Sequence, residues 1–317
     1  MRFSSFSVAG MYIDKSIRVV LSCLLVAWSS LTSGIASAQE LAPRAYWPAP
    51  VGTKVAVMAY QRNAGDIVID PSLPITGVES KIDYLQLGYQ RFFSLFGRTT
   101  TVQLNLPWAD GSTEGIVDGE FRQRNTTGLT DARLRLAINL KGAPAMDAAG
   151  FQALRNDPKT IIGASILVQA PTGEYDSDRV INLGTNRWAV KPALGMIVPL
   201  HPTWLFEIEV GAWLIGDNDD FLGETRKQDP IFSTEVHLIK RIRPGFWASL
   251  DANYYTGGET QIGAEFRDDL QRNARAGITF VFPIKGRQAL RAGFSTGIST
   301  RSGGDFEMYT LGWAYVW

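Results

Sequence analysis

Beyond residue 39 the chain alternates apolar and polar residues with a period of two, and helical spacing is scarce. In Asp131-Ala132-Arg133-Leu134-Arg135-Leu136-Ala137-Ile138-Asn139-Leu140, one strand face carries Ala, Leu, Leu, Ile and Leu. The other carries Asp, Arg, Arg, Ala and Asn. The last segment sets Tyr309, Leu311, Trp313, Tyr315 and Trp317 against Thr310, Gly312, Ala314 and Val316. Large groups on one face and small ones on the other suit a curved wall better than a sandwich core. The pattern predicts twelve strands, near 54–62, 82–95, 99–108, 130–140, 160–170, 187–199, 204–215, 230–241, 246–256, 272–283, 288–297 and 306–317.

The connections sort by length. Those near 96–98, 200–203, 242–245 and 284–287 are tight and carry Gly97, Pro202, Pro244-Gly245 and Gly286. Those near 63–81, 109–129, 171–186, 216–229, 257–271 and 298–305 are long and polar. An even number of strands of about ten residues, with long loops on one side and short turns on the other, predicts an all-β fold. The expected form is a closed antiparallel transmembrane β-barrel of about 12 strands, with long extracellular loops and short periplasmic turns. Lipid supplies no hydrogen-bond partners, so a chain without apolar helices can span it only as a closed barrel. The segment 141–159 breaks the rule, being long on the short-turn side, with a helical turn expected around Ala148–Arg155. Aromatics near strand ends, Trp108, Trp188, Trp204, Trp247 and Trp317, are expected to form an interfacial belt. Core aromatics of a soluble β-protein are the alternative.

The N-terminus changes the compartment. Lys15 and Arg18 precede an apolar stretch from Val19 to Trp28, and Ala36-Ser37-Ala38 follows, the layout of a secretory signal peptide. Residues 1–38 are read as that leader and 39–317 as the barrel domain; Met11 offers a second possible start. The apolar stretch is too short to cross a hydrocarbon layer of about 30 Å. Cleavage after Ala38 would remove Cys23, the single cysteine, and with it disulfide and thiolate chemistry. The expected location is the bacterial outer membrane.

Composition taken alone resembles an ordinary soluble protein, with 45% apolar and 20% charged residues and a mean hydropathy of −0.03. A wall with one lipid face and one wet face averages to the same values. The 31 Lys+Arg balance 31 Asp+Glu, and the leader carries three of the former and one of the latter, leaving 28 against 30. No cationic excess exists to neutralise nucleic-acid phosphates.

With apolar faces toward lipid, the opposite parity is expected to line the lumen. It includes Asp131, Arg133, Arg135, Asn139, Lys191, Glu207, Glu209, Glu235, His237, Asp251, Arg275 and Arg291. Both signs are present, so a wet, weakly selective pore and an interior closed by cross-strand pairing both fit. Arg133 and Arg135, if unpaired, would favour anions, while Glu207 and Glu209 oppose that. Asp217-Asn218-Asp219-Asp220 with Glu224 resembles part of a calcium loop, but Gly223 is misplaced for one; a solvated loop is the expectation. No metal ligand set, cofactor motif or catalytic group is assigned. Ser233 and His237 share a face about 13 Å apart at strand rise, too far for a nucleophile–base pair.

Several blocks resemble a known family. They include Gly128-Leu129-Thr130-Asp131-Ala132-Arg133-Leu134, Ala170-Pro171-Thr172-Gly173-Glu174-Tyr175-Asp176 and Asn182-Leu183-Gly184-Thr185-Asn186-Arg187-Trp188. Gln228-Asp229-Pro230, Trp247 through Gly258, and Thr300 through Phe306 add to them. The family is that of outer-membrane transporters named for the meta pathway of phenol degradation, and the similarity runs over about residues 45–317. It implies a barrel for uptake of small solutes, including aromatic or anionic compounds, and supplies no binding residues. Expected partners are outer-membrane lipid and lipopolysaccharide, a small-molecule solute, and the barrel assembly machinery, engaged through the C-terminal strand ending at Trp317. A plugged structural or surface-binding barrel and a barrel-embedded lipid hydrolase are the competing readings.

Overall fold

A computed structural model describes residues 41–68, 75–284 and 286–317; the leader expected at 1–38 lies outside the described residues. The wall begins with β1 (Lys54–Val68), β2 (Ile75–Leu95), β3 (Arg98–Val117), β4 (Glu120–Leu129) and β5 (Arg133–Lys141). It continues with β6 (Ile161–Gln169), β7 (Ala189–His201) and β8 (Trp204–Ile215). The short strands β9 (Asn218–Phe221) and β10 (Glu224–Gln228) precede β11 (Ile231–Arg243) and β12 (Phe246–Gly257). The chain then forms β13 (Thr260–Ile262), β14 (Glu265–Phe266), β15 (Gln271–Pro283), β16 (Gln288–Ser299) and β17 (Gly303–Val316).

Neighbours pair antiparallel, and β1 pairs with both β17 and β2, while β2 pairs with β3, so the sheet closes on itself. Strands β4 and β5 lie end to end against β3, opposite Trp108–Val117 and Thr100–Asn105 respectively, and share one position in the wall. The barrel therefore has twelve strands around its circumference, a closed form without free edges. A separate four-stranded sheet, β14-β13-β10-β9, stands on the long-loop side.

Alternation decides which way each residue points. On β2 and β3 the outward positions are Leu85, Leu87, Tyr89, Leu104, Leu106 and Trp108, all exposed. Leu134, Leu136, Leu194, Leu250 and Leu311 continue this apolar surface around the wall. A continuous exposed apolar band is what a lipid-facing barrel presents and what a water-soluble surface avoids.

β2 and β3 run 21 and 20 residues, twice the roughly 9–11 that cross a bilayer. Segments 109–129 and much of 63–81, expected as loops, are thus strands prolonged beyond the membrane. Outside lipid neither face must be apolar, so alternation disappears while the backbone ladder persists. Tight turns fall where expected: Phe96-Gly97 joins β2 to β3 with φ of 52° and 71°, both positive as a two-residue turn of this hand requires.

The long connection after β5 forms helix α1 (Ala148–Asn156), whose Asp147 side chain caps it by accepting the Gly150 N–H at 2.8 Å. Leu154 of α1 is buried, with Met146 and Phe151 packed beside it, in a cluster that includes Tyr46, Trp47, Ile197, Ile239 and Trp247. This core seats α1 and the residues before β1 against the inner wall near the short turns, which gives the long connection a buried partner.

Candidate functional site

The residues before β1 run inside the barrel. Tyr46 is 2% exposed, and its ring lies on a flat patch made by Gly163 of β6 and Gly195 of β7. A Cβ at either position would fall 2.2 or 2.0 Å from ring carbons, so only glycine admits the aromatic so close to the wall. The Tyr46 hydroxyl pairs with Ser165 Oγ at 3.0 Å, and the Arg135 guanidinium sits 4.9 Å from the ring centre. On the flanks, the Arg44 N–H donates to Glu207 Oε2 at 2.6 Å, and Arg291 Nη2 donates to the Leu41 carbonyl at 3.1 Å. Residues 41–50 thus reach from the β16 wall to the β6–β7 wall. The Arg44 guanidinium ends between Trp47 and Trp247, 4.9 and 5.2 Å from their ring centres.

One wall of the interior is a continuous row of charge. Arg135 Nη2 lies 2.8 Å from Glu209, and Lys191 Nζ lies 3.0 Å from both Glu209 and Glu235. His237 is 3.9 Å from Glu235 and 2.8 Å from Asp251, whose second oxygen accepts from Thr279 Oγ1 at 2.8 Å. Glu209 and Glu235 face each other directly across β8 and β11, so Lys191 separates two like charges. Arg135, offered by the sequence as an anion attractor if unpaired, is committed to Glu209.

The expected lumen residues therefore separate into groups. Lys191, Glu207, Glu209, Glu235, His237, Asp251, Asn139 and Arg275 are buried, with Arg135, Arg133 and Arg291 partly so. Arg275 Nη1 donates to the Phe306 carbonyl at 2.7 Å, away from the charged row. Asp131 is not on a strand: it lies in the break between β4 and β5. There it accepts from Gly173 N, Thr185 N, Thr185 Oγ1 and Gln169 Nε2 at 2.5 to 3.0 Å, latching the loop between β6 and β7.

The opposite wall carries a single charged side chain, Arg291, at its cavity. Between Leu41 and strands β1, β2, β3, β15, β16 and β17 lies a cavity of about 360 Å³. Its polar groups are mainly amides: Asn105 Nδ2 donates to Gln86 Oε1 at 3.2 Å, Gln86 to Gln61 at 3.3 Å, and Gln61 to Asn63 at 2.9 Å. Asn105 Oδ1 is buried without a partner. Small residues, among them Ala59, Gly88, Gly293 and Gly312, keep the space open.

Two parts of this site escaped the sequence. Segment 41–50 has no alternation, and its signal is Tyr46-Trp47 set among Pro43, Pro48 and Pro50. The amides Gln61, Gln86 and Asn105 carry no charge and so drew no attention. The aromatic belt needs one correction. Trp108, Trp188, Trp204 and Trp317 are exposed on the outer surface, but Trp247 is 8% exposed and shares the inward parity of Ser249 and Asp251 on β12. It serves as the platform for Arg44.

His237 bonds Asp251, while Ser233 Oγ has no hydrogen-bond partner. Among the described residues no group of three or more His, Cys, Asp or Glu stands in metal-holding geometry. Asn218 of the acidic run is buried, donating to Tyr175 Oη at 2.8 Å.

Comparison with known proteins agrees with this architecture. Among solved structures, an outer-membrane channel from Pseudomonas putida F1 superposes with a TM-score of 0.75 at 23% identity, covering 88% of this chain and 100% of that one. The translocator domain of the autotransporter NalP from Neisseria meningitidis superposes with a TM-score of 0.50 at 11% identity, covering 97% and 99%. At these identities the likeness concerns the fold. No curated protein matches the sequence. The model of the family described as "Putative MetA-pathway of phenol degradation" matches residues 60–314, and over that span the chain belongs to this family.

Proposed function

We propose that the protein is a diffusion channel of the bacterial outer membrane for small solutes, and that the path follows the amide-lined wall rather than the row of paired charges. The observation that carries this reading is the cavity of about 360 Å³ beside segment 41–50, lined by amides, small residues and one guanidinium, that of Arg291. The charged row opposite is tied up in its own ion pairs and hydrogen bonds, which leaves its side chains less free to engage a passing ion. An amide track exchanges hydrogen bonds with hydroxyl-bearing solutes without demanding that they be charged, and the apolar lining tolerates an aromatic body. The family's association with phenol degradation is consistent with such cargo. In this reading the chain is exported by a cleaved leader, is inserted by the assembly machinery through the strand ending at Trp317, and sits among lipid and lipopolysaccharide. It performs no chemistry on the solute.

A closed barrel is the second reading, favoured by the segment that crosses the lumen. Planar-bilayer recording together with swelling of liposomes in phenol and in benzoate separates the two. Conductance with phenol-dependent swelling is expected of the channel. Folded protein that passes neither current nor solute would refute it.

A further inference from the structure

A second cavity, of about 100 Å³, lies at the long-loop end, between the wall of β2–β4 and the loop that joins β6 to β7. Its chemistry differs from that of the amide-lined path. Arg133, Arg187 and Arg226 all line it, and Arg187 and Arg226 are only 7% and 6% exposed. Arg187 Nη2 donates to Gln228 Oε1 at 2.5 Å, but Nη1 is buried and has no partner. Burial, and then the nearness of Arg226, push the Arg187 pKa down to about 9. The lining carboxylate, Asp131, already accepts four hydrogen bonds from Gln169, Gly173 and Thr185. The rest of the lining is mixed: Ile82, Val180 and Phe221 form an apolar patch, and Ser80, Thr113 and Asn182 are among its neutral polar groups.

Burying a guanidinium with an unmet donor costs several kcal/mol unless an anion meets it. A water needs roughly 10–15 Å³ of such space, so this cavity holds a body of several heavy atoms. We propose that it is a binding site for a small organic carboxylate, the carboxylate held by Arg187 with Arg226 and the apolar body laid against Val180 and Phe221. The planar fork of Arg187 matches two carboxylate oxygens, and the apolar patch of Ile82, Val180 and Phe221 gives the body of an organic anion a contact that a compact, fully hydrated inorganic anion does not use. The site is independent of conduction, since occupancy is an equilibrium property whether or not solute crosses.

The test is isothermal titration of the full barrel in lipid nanodiscs with benzoate, with benzyl alcohol and inorganic phosphate as the other probes. Benzoate is expected to bind saturably and the other two at least tenfold more weakly. Arg187→Gln should weaken benzoate at least tenfold, and Arg187→Lys should restore part of the loss. Val180→Glu, which places a carboxylate in the cavity with Arg187 intact, should abolish benzoate binding. Heat-modifiable migration on gels establishes that each variant is a folded barrel. Three results would overturn the proposal: equal binding of benzyl alcohol, equal binding of phosphate, or a folded Arg187→Gln barrel that binds benzoate as the parent does.

Discussion

The contact between Tyr46 and the glycine patch can be attacked from both sides, which makes it a strong test of whether segment 41–50 governs passage. Tyr46→Ala removes a ring that is 2% exposed, together with its bond to Ser165 and its stacking with Arg135. Truncating a buried aromatic costs about 3–5 kcal/mol. Tyr46 lies outside every wall strand, so the cost falls on seating the segment rather than on the barrel. At tenfold per 1.4 kcal/mol, the ratio of seated to released segment drops by about two to three and a half powers of ten. Gly195→Ala approaches from the wall: its Cβ would fall 2.0 Å from Tyr46 Cε2, forcing the ring away at an overpacking cost of about 1–3 kcal/mol. Tyr46→Phe keeps the ring and loses one hydrogen bond, about 0.5–1.5 kcal/mol, and should have the least effect. Single-channel recording in planar bilayers reads the outcome as open probability and conductance. Both should rise in the order Tyr46→Phe, Gly195→Ala, Tyr46→Ala. Should Tyr46→Ala and Gly195→Ala fold and conduct as the parent does, the segment does not obstruct the path.

Other parts of the molecule answer to separate perturbations. Gly312→Leu fills the amide-lined path at a position where an added Cβ meets only ordinary contacts, 3.6 Å from Ala59 Cβ and 3.7 Å from Arg291 Cβ, so conductance should fall while thermal stability holds. Lys191→Met leaves Glu209 and Glu235 opposed without their shared cation, and urea unfolding in vesicles should show a loss of about 3–5 kcal/mol. Leu194→Arg puts a cation on the lipid face near the centre of β7, at a cost of about 2–4 kcal/mol in the same assay; an unchanged midpoint would mean that this face does not meet lipid. Asp131→Ala unlatches the loop between β6 and β7, and trypsin should then cut at the exposed Arg179 at least tenfold faster.

The alternation itself determined a great deal. Lipid on one side and a confined interior on the other impose period two on every spanning strand, so the twelve wall strands, their order and the tight turns between them were legible, though not their bounds. The inward parity of Lys191, Glu207, Glu209, Glu235, His237 and Asp251 was legible for the same reason. Trp247 was misassigned because an aromatic near a strand end reads alike on either face, and only the parity of Ser249 and Asp251 around it distinguishes them. The prolonged ends of β2 and β3 were hidden because strands that stand in water on both faces lose the pattern while keeping their hydrogen bonds.

What only the tertiary structure decided is how the interior is shared. Parity places a side chain inside but does not say which distant strand it meets, and pairing across β5, β7, β8, β11 and β12 ties the inward charges to one another in a row. The seat of Tyr46 likewise depends on two glycines, Gly163 and Gly195, that are adjacent only because β6 and β7 pair in one register. Local sequence sets the direction of each side chain, whereas register and closure set its partners, and here the partners decide which wall of the barrel is left open.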